Sequence, residues 1–113
     1  MHEMALCESI RSILNEQSQL QSFSRVVRVS LEVGPLVGVE VEALRFGFDV
    51  VMRGSVADGA RLEIIDCPAE AWCMQCAQLV PIAARFDACG TCGSRQLQVT
   101  SGEELRIKEL EVE

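Results

Sequence analysis

Four cysteines carry the strongest chemical signal in this chain. Cys73 and Cys76 form one Cys-x-x-Cys pair, Cys89 and Cys92 form another, and twelve residues separate the pairs. A two-residue gap lets both sulfurs of a pair turn toward one point, and four thiolates complete the tetrahedron that structural zinc prefers. All four positions are thiolate, so no open coordination site is expected and the metal should hold structure, not catalyse. The module is small and polar, so metal binding should supply its folding free energy. Gly90 and Gly93 sit where a knuckle needs backbone freedom. Three other readings compete with zinc. They are a rubredoxin-like iron centre, dithiol redox chemistry and a nucleic-acid-reading ribbon. The last is disfavoured, because only Arg85 and Arg95 lie in or beside the module.

The second candidate is His2, the sole histidine. A lone histidine is most often a surface or cap residue. Here it stands next to the chain's first α-amine. Ni(II) favours square-planar nitrogen donors, and an imidazole, an amine and nearby deprotonated amides can close small chelate rings around one ion. Such binding requires proton loss and should strengthen as pH rises. Glu3 can add a carboxylate near that ion, or simply serve as a first-turn acid favoured by the helix dipole. Cys7 and Cys67 stand outside the paired pattern. Cys7 reads as a small core residue. Cys67 reads as core, with a spare thiolate near the zinc as the alternative.

The elements that position these residues follow from periodicity. Met4 to Leu20 places Met4, Cys7, Ile10, Ile13 (or Leu14), Gln17 and Leu20 near one face, which predicts an amphipathic helix. Arg25 to Val33 alternates Val27, Val29, Leu31 and Val33 with Arg28, Ser30 and Glu32, the pattern of a half-buried strand. Glu40 to Arg53 predicts a second helix with Val41, Leu44, Phe48, Val51 and Met52 inward. Arg61 to Asp66 predicts a strand ended by Cys67-Pro68. Leu97 to Val99 reads as a short return strand. Glu104 to Val112 reads as the last one, its apolar phase shifting between Ile107 and Leu110 by a bulge or by departure from the sheet. A strand-helix-strand unit favours a right-handed crossover and parallel pairing of the first two strands, with the last strand free to pair antiparallel. The expected fold is α+β. A small three-stranded mixed sheet is covered by two helices, with a zinc-ribbon-like module inserted before the last strand. Residues 1–68 plus 102–113 would form one domain and 69–101 the zinc domain.

Composition sets the limits. With 113 residues there is room for one core. Four Phe, one Trp and no Tyr make that core aliphatic. A net charge of −7, with nine scattered Arg and one Lys, argues against nucleic acid and anionic membranes. No apolar run is long enough for a membrane span, and the start lacks a signal-peptide pattern, so a cytoplasmic location is expected. Six Cys in a reducing compartment point to metal or core, not disulfides. No nucleophile–base arrangement and no phosphate loop is found, so no enzymatic turnover is expected.

Several segments together resemble the HypA/HybF hydrogenase maturation nickel chaperones. They are Met1-His2-Glu3-Met4 with Leu6-Cys7, Gly34-Pro-Leu-Val-Gly-Val-Glu with Glu42-Ala-Leu-Arg-Phe-Gly-Phe, Gly59-Ala-Arg-Leu-Glu-Ile, both Cys pairs, and Ser101-Gly-Glu-Glu-Leu-Arg-Ile-Lys-Glu-Leu-Glu-Val. The resemblance covers almost the whole chain. It implies a nickel-binding α/β domain with Ni(II) taken as transient cargo at Met1, His2 and Glu3, through the histidine side chain and backbone nitrogens. It implies structural Zn(II) on Cys73, Cys76, Cys89 and Cys92. It further implies delivery of nickel, with a HypB-type GTPase partner, to the large subunit of [NiFe] hydrogenase, with urease and its accessory proteins served by some members, and a monomer or homodimer as the working form. The alternative is a zinc-ribbon protein-interaction module with no nickel role.

Overall fold

The computed structural model describes residues 3–113; Met1 and His2 lie outside the described residues. The element order is α1 (Glu3–Gln21), β1 (Val26–Val33), α2 (Val41–Val51), β2 (Arg61–Asp66), β3 (Ala69–Cys73), β4 (Gln78–Ile82), β5 (Leu97–Ser101) and β6 (Leu105–Val112). The strands form two three-stranded sheets, ordered β2-β1-β6 and β4-β3-β5. Two helices, a mixed sheet and an inserted small sheet make the fold α+β with a zinc-ribbon-like module, as the periodicity implied. The chain divides into two compact units. One runs to Leu31 and adds Val39–Ile64 and Ile107–Glu113; the other comprises Glu32–Gly38 and Ile65–Arg106.

The first unit is held by aliphatic burial. Cys7, Ile10 and Leu14 are the buried residues of α1. Leu14, and not Ile13, is therefore the inward member of that pair. Met4, Ile13 and Leu20, expected on the inner face, are substantially exposed; the true stripe is narrower, because α1 packs mainly against α2. That contact is close. The Cys7 thiol donates to the Leu44 carbonyl at 3.6 Å, and a Cβ on Gly47 would stand 2.9 Å from Met4 Sδ and 3.3 Å from Cys7 Sγ. Helix α1 stops at Gln21, where Ser22 takes a left-handed φ of 58°. At the start of α2 the Glu40 side chain accepts from the Glu42 N–H at 3.2 Å, a standard N-cap.

The middle strand β1 departs from simple alternation. Val29, Leu31 and Val33 are buried as expected, but Val26 is buried in place of Val27, which is half-buried, and Ser30 is also fully buried and Glu32 nearly so. Its neighbours explain this. Arg28 pairs with Glu63 at 3.2 Å, Glu109 at 3.4 Å and Glu111 at 3.3 Å, and also donates to the Ser30 hydroxyl. The polar face of β1 is thus covered by charged side chains from β2 and β6. Arg25 and Glu113 exchange a backbone bond at one end of β1, while the Gly34 N–H donates to the Glu104 carbonyl at the other. That pattern makes β1 and β6 antiparallel. The Cys67 N–H meets the Val33 carbonyl where β1 and β2 both end, as parallel strands require. The apolar phase of β6 does shift between Ile107 and Leu110, yet the chain stays paired through Glu113, so the strand does not leave the sheet. Val112, expected inward, is 41% exposed.

In the second unit, β3 is the centre of an antiparallel sheet. Ala69 pairs with Ile82 and Cys73 with Gln78 on one side, and Cys73 with Leu97 on the other. Two glycines let the flanking chain segments touch. A Cβ on Gly34 would collide with the Gly102 carbonyl oxygen, and one on Gly102, at φ 105°, would collide with Ala69 Cβ.

Candidate metal centre

Strand β3 delivers Cys73 at its last residue, and the tight turn into β4 carries Cys76. The loop leading to β5 carries Cys89 and Cys92. The four sulfurs lie within 4.8 Å of one another. Cys73 Sγ and Cys92 Sγ are 3.6 Å apart, and Cys76 Sγ and Cys89 Sγ are 3.9 Å apart. These separations are far beyond a disulfide bond of about 2.05 Å. They bracket the edge of about 3.8 Å that a tetrahedron with metal–sulfur bonds of about 2.3 Å would have.

The two knuckles are built alike. The Ala77 N–H donates to the Cys73 carbonyl at 2.8 Å, and the Gly93 N–H donates to the Cys89 carbonyl at 2.8 Å. Both turning residues are left-handed, Ala77 at φ 55° and Gly93 at φ 75°. Gly90 has no positive φ and open space around it. The need for a glycine expected at Gly90 therefore falls on Gly93 and on its counterpart Ala77. Amide N–H groups aim at the sulfurs, from Cys76 to Cys73 Sγ at 3.3 Å and from Thr91 to Cys89 Sγ at 3.4 Å.

These amides prepare the site for negative charge. N–H donors of Cys92 and Thr91 lower the Cys89 thiol to about 6. Its neighbour responds in the opposite sense: hydrogen bonding to the Cys92 sulfur, burial and the other two sulfurs push Cys76 up to about 12. Four sulfurs this close cannot all ionise unless a cation offsets their charge. A divalent ion does so, and the all-thiolate donor set suits structural zinc. Among the described residues this is the one cluster with metal-ligand geometry.

The remaining chemical residues go elsewhere. Cys7 is buried against α2, and burial raises its thiol, with Glu3 and Glu8 adding to the shift. Cys67 does not join the sulfur cluster. It is half-buried and donates to the Glu32 carboxylate at 3.6 Å, and Glu32 also accepts from Arg106 at 3.0 Å. Desolvation and that carboxylate raise the Cys67 thiol. At the N-terminus, Glu3 opens α1, and its Oε1 accepts from the Glu40 N–H at 2.9 Å. The expected sites on Met1 and His2 fall outside the described residues. What the residue pattern alone did not reveal was the β3–β4 hairpin and the role of Ala77. The signal was the correspondence of Cys73-x-x-Cys76-Ala77 with Cys89-x-x-Cys92-Gly93.

Two helices, a three-stranded mixed sheet and a four-thiolate ribbon define a small α+β metal-binding protein. Comparison with known proteins narrows the class. The family described as "Hydrogenase/urease nickel incorporation, metallochaperone, hypA" matches residues 1–112, and the chain belongs to that family. The hydrogenase maturation factor HypA of Acidithiobacillus ferrooxidans is 59% identical over 113 residues, with all of both chains covered. That of Azotobacter vinelandii is 57% identical, again over the full length of both. Among solved structures, the solution structure of the Ni metallochaperone HypA from Helicobacter pylori matches in fold with a TM-score of 0.70 at 24% identity, over 99% of this chain and 97% of that one. A further solution structure of HypA protein gives 0.71 at 25% identity, over 99% and 96%.

Proposed function

We propose that this chain binds Ni(II) at its N-terminus, through the Met1 α-amine, the His2 imidazole and backbone nitrogens of the Met1-His2-Glu3 segment. It hands the ion, with a HypB-type GTPase, to the large subunit of [NiFe] hydrogenase. The observation that carries this reading is the family match over residues 1–112, which includes the Met1-His2-Glu3 segment. Cys73, Cys76, Cys89 and Cys92 hold a structural zinc that shapes a docking surface. In this reading residues 1–68 with 102–113 form the nickel domain and 69–101 the zinc domain. The protein works in the cytoplasm as a carrier, not a catalyst. No helix among the described residues is long and apolar enough to cross a membrane.

The chemistry supports a transfer role. Amine, imidazole and deprotonated amide nitrogens suit Ni(II) in a planar field. Their protons must leave for the ion to bind, so affinity rises with pH. Isothermal titration of Ni(II) into protein with a native start, and into protein with one residue added before Met1, tests the proposal. The extension and His2→Ala should each abolish tight nickel binding while zinc content stays at one per chain. Equal nickel affinity with and without the extension would refute the N-terminal site.

A further inference from the structure

The loop between β4 and the second knuckle is built to display an aromatic ring. Phe86 is 89% exposed and sits at φ 68°, a conformation that L side chains rarely adopt. Its neighbours hold it there. The Asp87 carboxylate accepts from the Ala83 and Ala84 N–H groups at 2.9 and 3.0 Å. Arg95 donates to the Phe86 carbonyl at 2.8 Å, and Arg85 pairs with Glu103 at 2.7 Å. A strained backbone fixed from several sides is characteristic of ligand clamps.

Beside the ring lies a groove of about 170 Å³, lined by Phe86, Ile82, Leu97 and Val99 together with the charged Arg85, Asp87 and Arg95. Its size selects the occupant. An apolar cavity of about 150 Å³ accepts one benzene ring, whereas pockets for whole small molecules start at about 300 Å³. The groove therefore has room for one side chain of a larger partner. Its charge selects further. Glu103 is paired with Arg85, and the Asp87 carboxylate accepts from two amides and lies within electrostatic reach of Arg95, which forms no direct ion pair among the described residues. Arg95 keeps donors to spare after serving the Phe86 carbonyl. A guanidinium with spare donors next to an apolar hollow complements a carboxylate two residues from an apolar side chain, on the same face of an extended peptide. Leu97 and Val99 occupy alternate positions of β5, an edge of the β4-β3-β5 sheet. Such an edge can pair with an added strand whose alternate side chains lie over one face.

We propose that this groove binds an extended, acidic peptide segment of a partner protein. One apolar side chain enters between Phe86 and β5, a carboxylate two residues on, on the same face of the strand, meets Arg95, and the peptide backbone pairs with β5. This stands independently of the nickel reading. The test titrates the zinc-loaded full chain, 15N-labelled, with the capped peptide Ser-Val-Ser-Leu-Ser-Asp and with versions carrying Asn or Lys in place of Asp. Saturable shifts at Ile82, Phe86, Leu97 and Val99, weakened about tenfold for the Asn and Lys peptides, are expected. Arg95→Glu should lose the Asp peptide and gain the Lys peptide, a charge swap that loop unfolding cannot imitate. Phe86→Ala, with zinc content unchanged, should weaken all binding. No saturable shift at millimolar peptide, or equal binding of the Asp and Lys peptides, would overturn the proposal. So would a dimer in sedimentation that Arg95→Glu splits, since the groove would then serve a second copy of the chain.

Discussion

The two units of this molecule are held together by different physics. The helix-bearing unit buries Leu14, Leu31, Leu44, Met52, Val26 and Val29 almost completely. The four-cysteine unit buries a cluster of Cys73, Val80 and Cys89, with Cys76 and Leu97 half-buried against it, and beyond that Val33, Leu36 and the small Ala69 and Ala71. Two of that cluster's three buried members carry sulfurs of the metal site. One unit is stabilised by removing aliphatic surface from water. The other has too little such surface and relies on four ligand bonds to a single ion. The difference separates what each unit can tolerate. Aliphatic packing fails gradually, one methyl group at a time, while a metal staple fails all at once.

The largest expected effect follows directly. Binding of structural zinc to small thiolate modules contributes about 10–16 kcal/mol at neutral pH. Chelation, or Cys73→Ala, should therefore collapse amide dispersion and exchange protection throughout β3, β4 and β5. Far-UV helix signal from α1 and α2 should persist. Heteronuclear spectra before and after metal removal check this, and protected β3–β5 amides in metal-free protein would show that burial alone suffices there.

The reciprocal experiment is Leu44→Ala. Leu44 is fully buried in α2, and the Cys7 thiol bonds to its carbonyl. Truncation leaves a cavity and should cost about 2–5 kcal/mol. The loss should appear as a lower midpoint for the helical signal in denaturant, with zinc content by colorimetric assay unchanged. If zinc is lost in parallel, the two units do not fold as separately as their cores imply.

Much of this contrast was legible in the residues. The period-two run ending at Val33 and the three-four spacing of Cys7, Ile10 and Leu14 located β1 and α1 to within a residue or two. Both Cys pairs announced the sulfur cluster, because local knuckle geometry is encoded in their spacing. The parts that escaped depend on distant neighbours. The burial of Ser30 and Glu32 could not be seen from β1 itself, since it results from charged side chains on other strands. The hairpin of β3 and β4 was hidden because Trp72 and Leu79 lie on its open face, which blurs the usual inward pattern. The exposure of Ile13 and Leu20 likewise depends on how narrow a stripe of α1 its neighbours cover, a tertiary fact that periodicity does not contain.

The smallest effect concerns the two knuckles, which share one backbone design but not one residue. Gly93 turns at φ 75° without a side chain, while Ala77 turns at φ 55° with a methyl group. For an L-residue the left-handed region places Cβ close to the following carbonyl oxygen, at a cost of about 1–2 kcal/mol. Glycine escapes that clash but loses more freedom on folding, by roughly 0.5–1 kcal/mol. The clash outweighs the lost freedom, so Ala77→Gly should stabilise the zinc-loaded unit, by up to about 1 kcal/mol. Gly93→Ala should destabilise by a similar amount, for the same reason with the sign reversed. Resistance of the bound zinc to a competing chelator reads both changes. Ala77→Gly should slow metal release and Gly93→Ala should hasten it, with helix melting unchanged in both variants. Matched release rates for Ala77→Gly and the parent would mean that the surrounding hydrogen bonds already absorb the strain at Ala77.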